Sequence, residues 1–114
     1  KIMTAENYQL IAKLQQRLKR EILNLLDQYN IVGFVEIVGA KGCLIFMDHA
    51  PVDYRDWKVN NAHWLDYALH SFLLNHGIWL SGPGEEWTIS VQHTDEDVSK
   101  IVEVVGMFFE LWSS

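Results

Sequence analysis

The segment GIWLSGPGEEWTISVQHTDEDV, residues 77–98, decides the fold that we predict for this 114-residue chain. It offers a glycine at which a helix can end, then short strands at 78–80 and 87–91 on either side of a glycine-rich turn. Thr94 is the predicted N-cap of a final helix, because Asp97 follows three residues later as in a capping box. The segment therefore predicts a strand-turn-strand-helix unit with a well-defined helix start.

Upstream, a long amphipathic helix is predicted over residues 4–29. Thr4 is its expected N-cap and Asn30 its expected stop. At about 26 residues the helix is roughly 39 Å long, which exceeds what the core of so small a domain needs. We therefore interpret 4–29 as a connecting helix. Its apolar positions recur three and four residues apart on one face, at Ile11, Leu14, Leu18, Ile22, Leu25 and Tyr29.

A β-hairpin is predicted next, from strands at 32–38 and 43–48 joined by a four-residue turn at 39–42. The second strand is apolar on both faces and is expected to be a covered, central strand. Residues 49–60 are polar and contain a proline, so they are predicted to form a loop.

A second helix is predicted from Asn61 to Gly77, which occupies the C′ position, and a third from Thr94 onward. The predicted element order is α-β-β-α-β-β-α. An α+β fold, in which a small, mostly antiparallel sheet is packed by helices, buries the apolar stripes of these helices. No linker or repeat divides the sequence, so residues 1–114 are predicted to form a single domain.

Composition narrows the function classes. Apolar residues make up 49% of the chain, and the net charge is −6, which argues against nucleic-acid and membrane partners, because both need clustered basic residues. The basic residues Lys13, Arg17, Lys19 and Arg20 are interpreted as one solvated helix face. With a single cysteine, no signal peptide and no apolar run of membrane-spanning length, we predict a cytoplasmic protein. The start at Lys1 suggests a fragment or a processed chain.

Few residue groups indicate chemistry. His63 and His70 lie seven apart, without a third metal ligand, and are interpreted as boundary positions on the second predicted helix. Cys43 is predicted to be a buried structural cysteine and not a nucleophile. Residues 39–42 are predicted to form a hairpin turn and not a phosphate-binding loop, since they lead into a strand and not into a helix N-terminus. His93 either orients the strand-to-helix turn, the interpretation we favour, or acts in catalysis. Glu85 either faces a ligand or is a solvated loop acid.

Four segments together resemble one enzyme family: TAENY at 4–8, VGAKGC at 38–43, PVDYRD at 51–56, and 76–80 followed by 85–98. The chain resembles the C-terminal small domain of class III, pyridoxal-phosphate-dependent aminotransferases. The most similar branch is that of glutamate-1-semialdehyde aminomutase and the β-amino-acid aminotransferases. The glycine-rich turn departs from the aminomutase pattern, which leaves transamination and the mutase reaction both open.

The resemblance implies a larger, homodimeric enzyme that moves an amino group between an amino acid and a keto acid or aldehyde. Its pyridoxal phosphate would be held by a lysine of a large domain that this sequence lacks, and Lys41 does not match that lysine. The small domain would cover the substrate side of the cleft and be inactive alone. Glu85 matches a family acid near the substrate, and Trp87 lies beside it, so both are the predicted substrate-binding residues.

A rival hypothesis needs no enzyme. The chain contains five tryptophans, and amphipathic rings of this kind are common at protein interfaces. A free-standing α+β binding or dimerisation module, with exposed tryptophans and the long first helix as its interface, would explain the same composition.

Overall fold

The computed structural model describes residues 4–49, 52–78, 86–88 and 93–113. Within them the chain forms four helices and an antiparallel sheet of strand order β1-β2-β3, which confirms the predicted α+β fold. The elements in chain order are α1 (Ala5–Gln28), β1 (Phe34–Val38), β2 (Lys41–Ile45), α2 (Tyr54–Asn60), α3 (His63–Asn75), β3 (Glu86–Thr88) and α4 (Asp95–Ser113).

Helix α1 begins and ends close to where the sequence predicts. The Thr4 hydroxyl accepts a hydrogen bond from the Asn7 backbone N–H, as an N-cap does. The helix ends at Gln28, and Asn30 has a positive φ of 54°, a backbone conformation that asparagine tolerates better than most residues. The predicted stripe is confirmed, because its first four members are buried.

The hairpin turn is shorter than predicted. Val38 pairs with Lys41, so the turn consists of Gly39 and Ala40 alone, and Lys41 and Gly42 already belong to β2. Gly39 has a φ of +60°, the left-handed value that two-residue hairpin turns need at their first position. The four-residue turn was the wrong prediction, because Gly42 serves a packing role inside the strand. The central position of β2, between β1 and β3, is confirmed.

The loop predicted over 49–60 contains helix α2. The Asp53 carboxylate caps it by accepting a hydrogen bond from the Asp56 N–H at 2.8 Å. The pattern of Asp53 followed by Asp56 was a cap signal in the sequence, but polarity and the nearby proline outweighed it. None of the residues of α2 is buried, so the helix lacks the apolar stripe by which helices are recognised.

Helix α3 ends as predicted. Gly77 has a φ of +78°, and the N–H groups of Gly77 and Ile78 donate to the carbonyls of Leu74 and Leu73 at 3.1 and 2.9 Å. This is the Schellman arrangement, with Ile78 and Leu73 both in the core. The strand predicted at 78–80 lies outside the described residues apart from Ile78, and the glycine-rich turn lies wholly outside them.

The predicted capping box of α4 is confirmed. Thr94 N–H donates to the Asp97 carboxylate at 2.8 Å, and the Thr94 hydroxyl accepts from Asp97 N–H at 3.3 Å. The helix runs to Ser113. Strand β3 includes only the first two residues of the strand predicted at 87–91, and the other three lie outside the described residues.

The core lies between one face of the sheet and the helices α1, α3 and α4. Val35 and Leu44 face each other across β1 and β2 and are both 1% exposed. They pack in one cluster with fully buried residues of the three helices, Leu18, Leu69 and Phe109. No helix in the described part of the chain combines the length and the apolarity that a membrane crossing requires.

Candidate functional site

Trp87, one of the two predicted substrate-binding residues, lies in the core on strand β3. Its side chain is only 4% exposed, and the residue pairs with Gly42 of β2. A Cβ atom on Gly42 would lie 2.5 Å from Trp87 Nε1 and 2.6 Å from Cε2. Gly42 is therefore a glycine because the indole ring of Trp87 occupies the space in which a side chain would lie.

Gln15 of α1 completes the surroundings of Trp87. Its amide is 1% exposed; the oxygen accepts from Trp87 Nε1 at 2.8 Å, and the nitrogen donates to the Gly39 carbonyl at 3.2 Å. We call Gln15, Gly39 and Trp87 the amide bridge. It joins α1, the hairpin turn and β3, and each buried polar group in it has a partner, which avoids a cost of about 1–3 kcal/mol per unpaired group.

Gln15 is a functional residue that the sequence-based prediction lacks. The signal was present, because position 15 lies four residues after Ile11 and three before Leu18, inside the apolar stripe of α1. A polar residue in that stripe indicates a buried hydrogen-bonding partner elsewhere in the fold. The partner lies 72 residues away, too far along the chain for a local pattern to identify it.

Glu85, the other predicted substrate-binding residue, lies outside the described residues. Its neighbour Glu86 pairs with Cys43 in the ladder between β2 and β3, so the described strand begins directly after Glu85. Trp87, the next residue along, is fixed by the amide bridge. The substrate contacts of Glu85 and Trp87 stay predictions.

The beginning of α4 is held by α1. Arg17 donates to the Asp95 backbone carbonyl at 2.8 Å, to its carboxylate at 3.0 Å and to the Ser99 hydroxyl at 2.7 Å. Its Nε also donates to Glu21 at 2.6 Å. The interpretation of the basic residues as one solvated face is therefore wrong for Arg17, whose side chain is 25% exposed. His93 is half-buried beside this turn, where an orienting role remains a prediction.

A second buried polar cluster joins β2 to α3. Asn61 accepts from the Phe46 N–H at 2.8 Å and donates to the Asp66 carboxylate at 2.5 Å. Burial raises the pKa of Asp66, while the Asn61 hydrogen bond and His63 oppose that rise. Among the described residues, the second oxygen of Asp66 has no hydrogen-bond partner, so Asn61 alone satisfies this 1%-exposed carboxyl group.

The described residues do not fit a metal or a cofactor linkage. Within the described ranges, no group of three or more His, Cys, Asp and Glu side chains could hold a metal ion. Lys41 is exposed at the start of β2, whereas a Schiff-base lysine needs a desolvated setting. Cys43 is half-buried, which corrects the prediction of full burial, because its side chain lies on the sheet face away from the core residues Gly42 and Leu44.

Comparison with known proteins links the chain to one group of enzymes. No family model matches it. It is 29% identical over 108 residues to glutamate-1-semialdehyde 2,1-aminomutase 2 of Lachnoclostridium phytofermentans, covering 93% of this chain and 25% of that protein. It is 32% identical over 100 residues to glutamate-1-semialdehyde 2,1-aminomutase of Thermus thermophilus, covering 87% of this chain and 23% of that protein.

Solved structures share the fold. The chain superposes on a glutamate-1-semialdehyde aminomutase of Pseudomonas aeruginosa in complex with PMP with a TM-score of 0.86, at 22% identity, over 94% of this chain and 24% of that one. An omega-transaminase of Sphaerobacter thermophilus gives a TM-score of 0.81 at 20% identity, over 94% and 24% of the two chains. These matches confirm the resemblance, and the chain spans about a quarter of the length of the proteins it matches.

Proposed function

We propose that this chain is the small domain of a class III pyridoxal-phosphate-dependent aminotransferase, because it is similar to these enzymes in sequence and fold. The observation that carries the proposal is the agreement of sequence and fold over more than nine-tenths of the chain. Both comparisons match it to about a quarter of a larger protein. On this proposal residues 1–114 form one domain, and α1 is the helix that connects it to the rest of the enzyme.

The parent enzyme would transfer an amino group between an amino acid and a keto acid or aldehyde, with pyridoxal phosphate supplying the electron sink for that chemistry. The cofactor would belong to the large domain, because the described residues of this chain do not fit it. The large domain is thus the first partner that we propose, and a second copy of the whole enzyme, as a homodimer in the cytoplasm, is the next. The net charge of −6 supports the absence of nucleic-acid and membrane partners.

The role that we propose for this domain is to cover the substrate side of the cleft and to shape its entrance. Glu85 would contact the substrate, and Trp87 would complete the substrate-binding surface on this side of the cleft. The amide bridge supports this role, because it fixes Trp87 two residues after Glu85 through a buried hydrogen bond and through van der Waals contact with Gly42. The resemblance implies a small-domain arginine that holds the substrate carboxylate in many class III enzymes, and no arginine follows Arg55 in this sequence, so carboxylate binding would come from elsewhere in the enzyme.

One apolar surface is relevant to the rival module. The rings of Trp64 and Trp112 pack in a tilted arrangement, with centroids 4.6 Å apart and planes 50° apart, although the residues are 58% and 45% exposed. Tyr67 and Leu111 nearby on α3 and α4 are also exposed. An apolar surface of this kind is typical of an interface. It is compatible with both hypotheses, because a domain of a larger enzyme and a dimerisation module each need a contact surface.

The purified 114-residue chain tests the proposal when pyridoxal phosphate and a panel of amino donors are added. We expect no amino transfer, because the cofactor lysine lies in the large domain. The Thermus thermophilus aminomutase, assayed in parallel on its own substrate, serves as the positive control. Turnover of an amino acid by the isolated chain, with no other polypeptide present, would contradict the proposal.

A substitution tests the site. In the parent enzyme, Glu85→Gln is expected to raise KM for the amino substrate, with little change in the free energy of unfolding. The matched control is Glu86→Gln at the next position. Equal kinetic effects of the two substitutions, or none of either, would count against Glu85 as the substrate contact.

A further inference from the structure

His49, four residues after the end of β2, is placed between two carboxylates. Its Nδ1 lies 2.5 Å from Asp48 Oδ1, and its Nε2 lies 2.8 Å from Asp56 Oδ2. An ionised carboxylate can only accept hydrogen bonds, and a neutral imidazole has one N–H to donate. Both contacts are hydrogen bonds at once only when the His49 ring carries two protons and a positive charge.

The Asp56 carboxylate is the centre of the first turn of α2. It accepts from the Val52 N–H at 3.0 Å and from Asn60 Nδ2 at 2.7 Å, besides its contact with His49. The Asp56 N–H in turn donates to the capping Asp53. A hydrogen bond from His49 to Asp56 therefore fastens the whole beginning of α2 to the segment that follows β2.

The other end of α2 has a different attachment. Trp57 packs edge-on against the His63 ring at 4.7 Å, and His63 Nε2 lies 2.8 Å from the Lys58 carbonyl. No residue of the helix is buried, so burial of apolar surface does not hold its beginning in place. The polar contact with His49 is the described tie between that beginning and the segment that follows β2.

We propose that His49 is a pH-sensitive clamp: its doubly protonated ring holds the beginning of α2 on the segment that follows β2, and loss of one proton releases it. The clamp consists of His49, Asp48 and Asp56. Release leaves the capping interaction of Asp53 and the attachment at Trp57 in place, so the helix loosens at one end while the core stays folded.

Electrostatics sets the direction of the switch. The hydrogen bond with Asp48, followed by that with Asp56, raises the pKa of His49. The Val52 and Asn60 hydrogen bonds, and then His49, lower the pKa of Asp56. Because the folded-state pKa of His49 is raised, the clamp is fully present below the ordinary histidine pKa and is lost as pH rises through the raised value.

Other charges face the clamp. Asp53 and Arg55 line the same hollow as His49 and Asp56, and Asp27 at the end of α1 lines the hollow that Asp48 borders. The carboxylates among them favour the protonated ring, and Arg55 opposes it. The His49 side chain is 48% exposed and that of Asp56 is 11% exposed, while the other groups are exposed, so salt will weaken the clamp through its exposed members.

The clamp is tested by NMR on the 114-residue chain, titrated from about pH 5 to about pH 9, a range that spans the ordinary histidine pKa of roughly 6.5. The ring C–H shifts of His49 and the Cα shifts of residues 54–60 are followed together. We expect both sets to change along one curve with a midpoint above the ordinary value. Cα shifts that stay constant while His49 titrates, or a His49 midpoint at or below the ordinary value, would overturn the proposal.

Two variants sharpen the test, and both change side chains at the surface, of which His49 is 48% and Asp48 82% exposed. Asp48→Asn is expected to lower the midpoints of the ring curve and the helix curve together. His49→Gln is expected to abolish the pH-dependent change in α2, whereas His76→Gln, the matched control at the end of α3, leaves it intact. A helix curve that persists in His49→Gln, or that ignores Asp48→Asn, would contradict the clamp.

Discussion

The amide bridge and the His49 clamp both fasten a short element by side-chain hydrogen bonds, but they do so in opposite surroundings. Gln15 and Trp87 are 1% and 4% exposed, whereas the His49 side chain is 48% exposed. A buried neutral amide has no accessible proton equilibrium, and its loss leaves partners unpaired away from water. The hydrogen bonds of the exposed imidazolium are easily replaced by hydrogen bonds to water. The first contact is thus a permanent part of the fold, and the second is an adjustable one.

The largest effect in this comparison is expected for Gly42→Ala. The new methyl group would overlap the Trp87 indole, which is buried and cannot move aside, so we expect a loss of about 3 kcal/mol in the free energy of unfolding. Urea denaturation measures it. Gly39→Ala is the control, because no atom lies within 4 Å of its Cβ position and only its positive φ costs about 1–2 kcal/mol. An equal or larger loss for Gly39→Ala would contradict this account of Gly42.

Gln15→Leu is expected to have the next largest effect. It leaves Trp87 Nε1 and the Gly39 carbonyl without their partner, and we expect a loss of about 2 kcal/mol after the apolar gain of leucine is subtracted. Thermal or urea unfolding measures the loss. Gln16→Leu, the exposed neighbour, should change the free energy of unfolding by less than about 0.5 kcal/mol. If both variants unfold like the parent chain, the bridge contributes nothing to stability.

Asp66→Asn tests how a buried titrating group, in contrast to the exposed His49, affects the pH dependence of the free energy of unfolding. Because burial raises the folded-state pKa of Asp66, its contribution to stability is present below the unfolded pKa and is lost as pH rises through the folded one. The free energy of unfolding of the original chain should therefore fall over that range. Asp66→Asn should remove this fall, as measured by urea unfolding at a series of pH values, and an unchanged pH profile would argue against a perturbed Asp66.

The smallest effect on global stability is expected for His49→Gln. The His49 side chain is 48% exposed and the clamp holds an element without buried residues, so the urea midpoint should stay that of the original chain at every pH. Hydrogen-exchange protection of the α2 amides is the sensitive readout, and it should lose its dependence on His49 protonation. A large drop in the global urea midpoint would show that the clamp supports the core and is not an adjustable surface contact.

Local signals in the sequence were sufficient for most of the fold. The Thr4 and Thr94 caps and the Gly77 stop act through backbone groups a few residues away, so their patterns identify them. The predicted length of the hairpin turn was wrong, because position 42 is a glycine to make room for the Trp87 indole, 45 positions later in the chain. Helix α2 was not predicted, because it has no apolar face and the Asp53 cap was the only signal that remained in the sequence.

The candidate site was predictable only in part. The residue pattern predicted the strand that contains Trp87, and the substrate contact that the resemblance implies for Trp87 stays a prediction, but Gln15 appeared only as a polar residue inside an apolar stripe. Its importance comes from two contacts with residues 24 and 72 positions away. Likewise, the position of His49 between two carboxylates depends on the fold of α2, which the sequence analysis missed. Contacts between distant segments define the surroundings of Gln15 and leave no periodic pattern in the sequence, whereas the His49 contacts are with residues one and seven positions away and depend on the missed helix.

The central claim is that this chain is one domain of a larger pyridoxal-phosphate enzyme. The most direct test is to isolate, with an antibody against the chain, the natural polypeptide that contains it, and to measure its mass and its visible absorbance. Because the chain of 13.2 kDa spans about a quarter of its relatives, we expect a polypeptide about four times heavier with the absorbance of bound pyridoxal phosphate. A polypeptide of about 13 kDa without that absorbance would contradict the account and favour the free-standing module.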